Sequence, residues 1–307
     1  MRPTRRPFKF GAVVRLAGSG REWAGKARIL EDSGFDVLFV SDHFVGPRFA
    51  PMPALMAAAC ATSRLRVGTM VLSNDYRHPV ALAKEAATVD LLSGGRLELG
   101  IGTGWMRADY DKAGLPFAPP ADRIERLAEA LQVLKGLWRG GPYSFAGRHY
   151  RIDELECDPL PAQRPHPRIL LGGGGPRMLR LAAREADAIN LAVRMRADGS
   201  APDESDTGLA AFTEKIEIIR EAAGERWAAL DIGTSVQQVG DEDRLESWSA
   251  ANVGPQAETP QVLPGGVIDR IDKLRHWRDE HGLNYFVLHN EKDLGEFLPV
   301  VEALAGT

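Results

Sequence analysis

Short, mostly apolar runs alternate with longer amphipathic stretches along almost the whole chain, the pattern of strands alternating with helices. Phe8–Leu16 reads as a first strand and Arg21–Gly34 as its helix. Val37–Val40 is an unbroken apolar run of the kind that a parallel sheet buries on both faces. The helix that follows carries the alanine-rich run Ala54–Ala61. Leu65–Leu72 is a third strand. Its helix opens at Pro79, where a first turn tolerates proline, and stops at Ser93-Gly94-Gly95. Arg96–Ile101 is the fourth strand, followed by a long helix over Pro120–Trp138. Arg168–Leu171 with Pro176–Arg184, and Ala188–Val193 with Leu209–Ala223, form the next two strand–helix pairs. The polar stretch from Arg196 to Gly208 inside the second pair reads as a mobile loop. Leu230–Val239 with Val267–His281, and Asn284–His289 with Leu294–Ala305, complete the series.

That order contains eight βα units and no Pro/Ser-rich linker or charge block, so it predicts one domain over residues 1–307. Eight right-handed crossovers of this kind are best satisfied by a closed (β/α)8 barrel, with an open doubly wound sheet as the alternative. Chain length is compatible, because a single α/β barrel commonly exceeds 250 residues. Two irregular insertions, about 140–167 and 240–264, are expected to cover the barrel mouth and set specificity.

Charge and cysteine content narrow the function. A formal net charge of −4 excludes a generally basic nucleic-acid binder. No stretch approaches the roughly 20 apolar residues of a membrane span, and none fits a signal peptide. Cys60 and Cys157 have no CxxC or metal-ligand spacing and read as buried thiols of a reduced, cytoplasmic protein.

In a barrel, chemistry sits at the strand ends and the loops after them. That rule selects Asp42 and His43 after strand two, Ser73 to His78 after strand three, Gly102 to Trp105 after strand four, and Gly172 to Arg177 after strand five. Asn190 lies near the end of strand six. Gly172, Gly173, Gly174 and Gly175 followed by Pro176 and Arg177 form the clearest feature. Such glycines admit a phosphate close to the backbone, and the helix start points free N–H groups at it. Arg177 would add a charge-assisted contact; the bland alternative is a plain strand–helix turn. Gly100-Ile101-Gly102-Thr103-Gly104-Trp105 departs from the dinucleotide GxGxxG pattern because Trp105 takes the place of the third glycine, and its Gly102-Thr103-Gly104 part reads as room for a flat ring. His43 is either a proton donor or acceptor, or a structural histidine. Neighbours on an extended strand end point opposite ways, so Asp42 is not its dyad partner. His78 reads as a helix cap, and His276, His281 and His289 as surface or packing residues. No HExxH, GxSxG or Walker motif occurs, which argues against a zincin-type metal site, elbow-type hydrolases and P-loop enzymes.

Several segments together resemble the bacterial luciferase-like monooxygenase superfamily, above all its actinobacterial branch that uses the deazaflavin coenzyme F420. They are EDSGFDVLFVSDHF (Glu31–Phe44), TSRLRVGTMVL (Thr62–Leu72), YRHPVALAKEAATVDLLSGGRLELGIGTGW (Tyr76–Trp105), ALQVLKGLW (Ala130–Trp138), GRHYRI (Gly147–Ile152) and LLGGGGPRMLRLAAREAD (Leu170–Asp187). The C-terminal third matches only in outline. The resemblance implies a TIM barrel in which His43 lies over an isoalloxazine-type ring beside Asp42. Val71, Leu72 and Ser73 would line the ring's face, where the family often has a non-prolyl cis peptide. Gly102 to Trp105 would lie beside the ring, Gly172 to Gly175 would bind phosphate, and Asn190 would sit near the ribityl chain.

Two functions follow from that resemblance. One is an F420-dependent oxidoreductase that moves a hydride between the deazaflavin and a small organic substrate, with His43 handling the proton. The alternative is an FMN-dependent two-component monooxygenase that receives reduced flavin from a separate flavin reductase and consumes oxygen. No second basic cluster for a phosphorylated sugar is evident in the sequence, which counts against a sugar-phosphate dehydrogenase. Relatives commonly pair as homodimers through the helices around strands two to four, where Ala54–Ala61 offers a small-residue face.

Overall fold

The computed structural model describes residues 5–240 and 258–307. β1 (Lys9–Val13) leads to α1 (Gly20–Asp32), β2 (Val37–Val40) to α2 (Pro51–Ala61), and β3 (Arg66–Thr69) with β4 (Leu72–Ser73) to α3 (Pro79–Leu92). β5 (Leu97–Gly102) is followed by two helices, α4 (Arg107–Ala113) and α5 (Pro120–Leu137). An antiparallel hairpin, β6 (Tyr143–Ala146) and β7 (Arg151–Leu155), precedes β8 (Arg168–Gly173) and α6 (Pro176–Glu185). β9 (Ala188–Leu191) leads to α7 (Leu209–Ala223), and β10 (Asp231–Val236) to α8 (Val267–His281). The short parallel pair β11 (Gln238–Val239) and β12 (Val262–Leu263) lies between β10 and α8. β13 (Tyr285–Leu288) and α9 (Leu294–Leu304) end the order.

The large sheet runs β3-β2-β1-β13-β10-β9-β8-β5, and pairing of β3 with β5 closes the ring. Its pairs are parallel throughout, so this is the closed eight-stranded TIM barrel that the alternation predicts. The open-sheet alternative falls with the closing pair. β2 shows why the apolar run was diagnostic. Leu38 and Val40 pack outward under the helices, whereas Val37 and Phe39 turn inward against Tyr285, Leu170 and Val287. Local signals behave as read: the His78 side chain accepts from the Val80 N–H at 3.2 Å, with Pro79 next in line, and so caps α3.

The structure departs from the sequence expectation in four places. The third strand is not continuous; it breaks between β3 and β4 at Met70–Val71, whose peptide bond is cis. The polar stretch after β9, expected to be mobile, is tied down. Arg196 N–H reaches Ala201 O at 2.9 Å, Asp203 N–H reaches Arg194 O at 2.8 Å, and Asp206 accepts from Arg194 N–H at 2.5 Å. Buried Lys215 then pairs with Asp206 at 2.5 Å. Cys157 is buried as expected, but Cys60 is exposed because it lies on the outer face of α2. Ala54, Ala58 and Ala59 of the same helix are buried within the chain.

The fourth departure concerns the insertions. Segment 140–167 does not line the mouth. It follows a helix and precedes a strand, so its ends lie at the strand N-terminal side; its hairpin reaches Asn74 and His78 after β4 through Tyr150, yet no residue of the segment lines the mouth cavity. At the N-terminal side, Gln163, Arg164, Pro165 and His166 wall a cavity of about 310 Å³ together with Lys9, Arg66, Glu98 and Arg168. The preceding hairpin docks on α5, where Glu129 accepts from the N–H groups of Arg148, His149 and Tyr150 at 2.7, 2.8 and 3.1 Å. The second insertion joins β10 to α8. Residues 241–257 lie outside the described residues, but Gln261 does line the mouth cavity.

Candidate active site

At the C-terminal ends of the strands the barrel opens into a cavity of about 600 Å³, within the usual range for cofactor and ligand pockets. Its walls include Asp42, His43, Val71, Leu72, Ser73, Gly102, Thr103, Gly104, Trp105, Gly172, Gly173, Gly174, Gly175 and Asn190, so residues from five separate segments meet in one place. Pro176 and Arg177 do not. They open α6 on its exposed side and are absent from the cavity wall. The cation beside the glycine loop is Arg194, which follows β9 and lines the cavity. Asp203 holds it with contacts of 2.7 and 3.1 Å. That pairing keeps the guanidinium charged, while the Ser205 hydroxyl and then Arg194 pull the Asp203 carboxyl down to about 2.

The glycine-rich loops serve the fold as well as any ligand. Gly104 has φ of +78°, and a Cβ there would collide with the Tyr110 hydroxyl and the Ser73 Oγ. A Cβ at Gly174 would meet the Ala192 carbonyl and the Arg194 N–H. The missing side chains let these neighbours approach the loop backbone closely. Val71 lies at the break between β3 and β4 and, with Met70, Leu72, Leu191 and Met178, supplies an apolar floor; Trp105 lines the cavity beside His43.

His43 does have a dyad partner, and it is not Asp42. Asp42 faces the other way, as the strand geometry required, and takes Arg77 in a two-pronged contact at 2.7 and 3.1 Å and the Ser73 N–H at 3.0 Å. The His43 Nδ1 lies 2.6 Å from Oδ2 of Asp109, on the short helix α4. The other carboxylate oxygen of Asp109 accepts from the N–H groups of Phe44 and Val45 at 2.9 and 2.8 Å, and Tyr76 donates its hydroxyl to Oδ2 at 3.3 Å. Asp109 is fully buried. With Nδ1 so engaged, His43 has Nε2 left for the cavity, next to the Trp105 ring at 5.6 Å between centroids. Burial lowers the pKa of His43, outweighing the upward pull of the Asp109 carboxylate, so the ring is neutral at pH 7.

Reading the sequence alone placed Tyr76 among the strand-end residues without a role, and missed Asp109, Arg194, and the cavity-lining roles of Arg15, Arg48 and His289. The only signal for Asp109 was its place in the loop after the fourth strand. His289 was read as a surface or packing residue, and it lines the mouth instead. Arg15 and Arg48, after β1 and β2, put cationic side chains on a different part of the wall from Arg194. Where the sequence showed no second basic cluster, the structure places these two arginines on the cavity wall. Among the described residues no group of His, Cys, Asp and Glu is placed to hold a metal ion, and the floor, loops and Arg194 fit a flat, phosphate-bearing organic cofactor.

Comparison with known proteins agrees with this geometry. A family model described as luciferase-like monooxygenase matches residues 7–264. The chain is 31% identical over 317 residues to a protein of Nakamurella multipartita named F420-dependent glucose-6-phosphate dehydrogenase, covering 92% of this chain and 91% of that protein. It is also 31% identical, over 166 residues, to an FMNH(2)-dependent dimethylsulfone monooxygenase of Pseudomonas putida, covering 52% of this chain and 46% of that protein. The coenzyme F420-dependent tetrahydromethanopterin reductase from Methanopyrus kandleri superposes with a TM-score of 0.77 at 19% identity, covering 97% of this chain and 98% of that one, a likeness of fold.

Replacing Arg194 with Ala is expected to weaken binding of a phosphate-bearing cofactor about ten- to hundredfold, the range of a charge-assisted hydrogen bond. Arg177→Ala should leave affinity within about twofold of the parent. Calorimetry on both variants decides the assignment, and a larger loss in Arg177→Ala would return the phosphate contact to α6.

Proposed function

The chain belongs to the luciferase-like monooxygenase family, and from that membership we propose that it is a coenzyme F420-dependent oxidoreductase acting on a small organic substrate. The observation that carries the choice of cofactor is the extent of the likeness. It runs nearly end to end with the F420-dependent dehydrogenase and over only half the chain with the FMNH(2)-dependent monooxygenase. We read the whole chain as one luciferase-like domain.

In this reading the apolar floor around Val71 and Leu72 takes the ring, Gly102 to Trp105 flank it, and Gly172 to Gly175 with Arg194 and Asn190 hold the phosphate end. When bound, the deazaflavin supplies a ring carbon that takes up or gives out hydride. The chain supplies position and proton handling. His43 is the catalytic residue. Its neutral Nε2 accepts the hydroxyl proton of an alcohol undergoing oxidation and, once protonated, returns it in the reverse direction. Because the rate in the oxidative direction needs neutral imidazole, activity should fall as the pH drops through the lowered pKa of His43. Arg15 and Arg48 on the opposite wall return phosphorylated and carboxylated alcohols to the substrates worth screening.

We also propose a homodimer and a cytoplasmic location. Pro53 and Ala57 on α2 are exposed, as are Leu91 and Leu92 at the end of α3, by 46% and 66%, and these are apolar positions for a partner copy to cover. The two cysteines are unpaired, as in a reducing compartment. No described helix is long and apolar enough to cross a membrane.

Titration with oxidised F420 and with FMN tests the cofactor. F420 is expected to bind at least tenfold more tightly, a difference of about 1.4 kcal/mol. Tighter binding of FMN, with oxygen uptake in the presence of a flavin reductase, would replace this reading with the monooxygenase. Light scattering should give twice the chain mass; a monomeric mass would remove the dimer.

A further inference from the structure

We propose that Asp109 is a positioning residue that fixes His43 in the Nδ1–H tautomer, so that the ring presents a bare Nε2 to the substrate. The argument begins with what surrounds the carboxylate. One oxygen of Asp109 takes the backbone N–H groups of Phe44 and Val45; the other takes the Tyr76 hydroxyl and lies 2.6 Å from His43 Nδ1. Three of these four neighbours are donors by chemistry or geometry. These donors need an acceptor, and a carboxylate accepts through both of its oxygens. A histidine nitrogen at 2.6 Å from such an oxygen carries the hydrogen itself. In the neutral ring the proton is then on Nδ1 and the lone pair is on Nε2.

The same contacts fix the ring in space. Asp109 binds the two residues that follow His43, so the loop after β2 and the carboxylate move together. The remaining charged groups near the ring do not compete for Nδ1. Asp42 is occupied by Arg77, and Arg48, which lowers the pKa of His43, donates to the Ser41 hydroxyl at 3.2 Å. Trp105 meets the ring through its edge. The role assigned to His43 in proton transfer rests on the proposed function, but the tautomer does not.

Asp109→Asn tests the tautomer sharply. The position of Oδ1 faces two N–H donors, so the amide oxygen must take it and the amide NH2 must take the other place, against His43 Nδ1. That turns Nδ1 into an acceptor and moves the ring proton to Nε2. Nitrogen-15 NMR of the histidine-labelled full chain, without cofactor or substrate, reads the change. Above its pKa, His43 of the parent protein should show Nδ1 protonated and Nε2 bare, and Asp109→Asn should show the reverse. The parent spectrum alone is decisive if the variant folds poorly: a protonated Nε2 there overturns the proposal, as does an unchanged tautomer in a folded Asp109→Asn. Tyr76→Phe, which removes only a competing donor, should keep the parent tautomer and raise the pKa of His43; a switched tautomer in that variant would contradict the assignment to Asp109. In turnover with F420, Asp109→Asn should lower kcat about a hundredfold or more with cofactor affinity unchanged, and the acid limb of the pH profile should move to lower pH. Failure of F420 turnover in the parent would count against the proposed function and leave the NMR result standing, so the two readings fail separately.

Discussion

A carboxylate buried without a full ionic partner is the constraint around which the mouth of this barrel is organised. Asp109 is fully enclosed, and an unsolvated carboxylate costs several kcal/mol unless hydrogen bonds replace the water. The chain meets that demand with donors from two segments: the loop after β2, which gives the N–H groups of Phe44 and Val45 and the ring of His43, and Tyr76 after β4. Each such contact to a charged group contributes about 1.5–3 kcal/mol. Satisfying Asp109 therefore draws three strand ends together, and the catalytic candidate is placed as a consequence. The next residue, Tyr110, does the same for the floor. Its hydroxyl, pushed up to about 12 chiefly by burial, contacts Ser73 at 3.3 Å and Asp75 at 3.0 Å while filling the space that Gly104 leaves.

The opposite wall obeys the same logic with the sign reversed. Arg194 is a cation at the cavity edge, and Asp203 and Asp206 fold the polar loop back over its own start to hold it. Lys215, buried on α7, anchors Asp206 from behind. A cofactor phosphate entering beside Gly172 to Gly175 would meet a guanidinium already oriented, so less side-chain entropy is lost on binding. The two walls divide the work: one handles a proton, the other an anion.

Much of the fold was legible because parallel strands buried on both faces leave unbroken apolar runs, as Val37–Val40 does, and because Pro79, Pro176 and Ser93-Gly94-Gly95 mark helix ends. Several helix limits agree with the structure to within a residue or two, among them Leu209–Ala223 and Val267–His281. What escaped has physical causes. α4 spans two turns with the polar sequence RADYDKA, too short for a helical period to show. The break at Met70–Val71 lies inside an apolar run and changes no pattern, and only the family resemblance, which implied a non-prolyl cis peptide there, pointed to it. Arg177 follows the glycines directly in sequence, whereas Arg194 reaches the loop only through the neighbouring strand β9. Asp42 sits beside His43 in the chain but points away from it, and Asp109 lies 66 residues away, so adjacency offered no partner for the ring. The misplaced first insertion was avoidable, since a segment between a helix and the next strand has its ends at the base of a barrel.

The central claim is that one cavity receives a deazaflavin ring on the Val71 floor with its phosphate at the glycine loop, and presents His43 to the substrate. A crystal structure of the complex with F420 tests it most directly. The account predicts the ring against Val71 and Leu72, the phosphate within hydrogen-bonding reach of the Gly172–Gly175 backbone and Arg194, and His43 Nε2 facing the remaining space. A cofactor bound elsewhere, or one whose phosphate lies away from that loop, would contradict it.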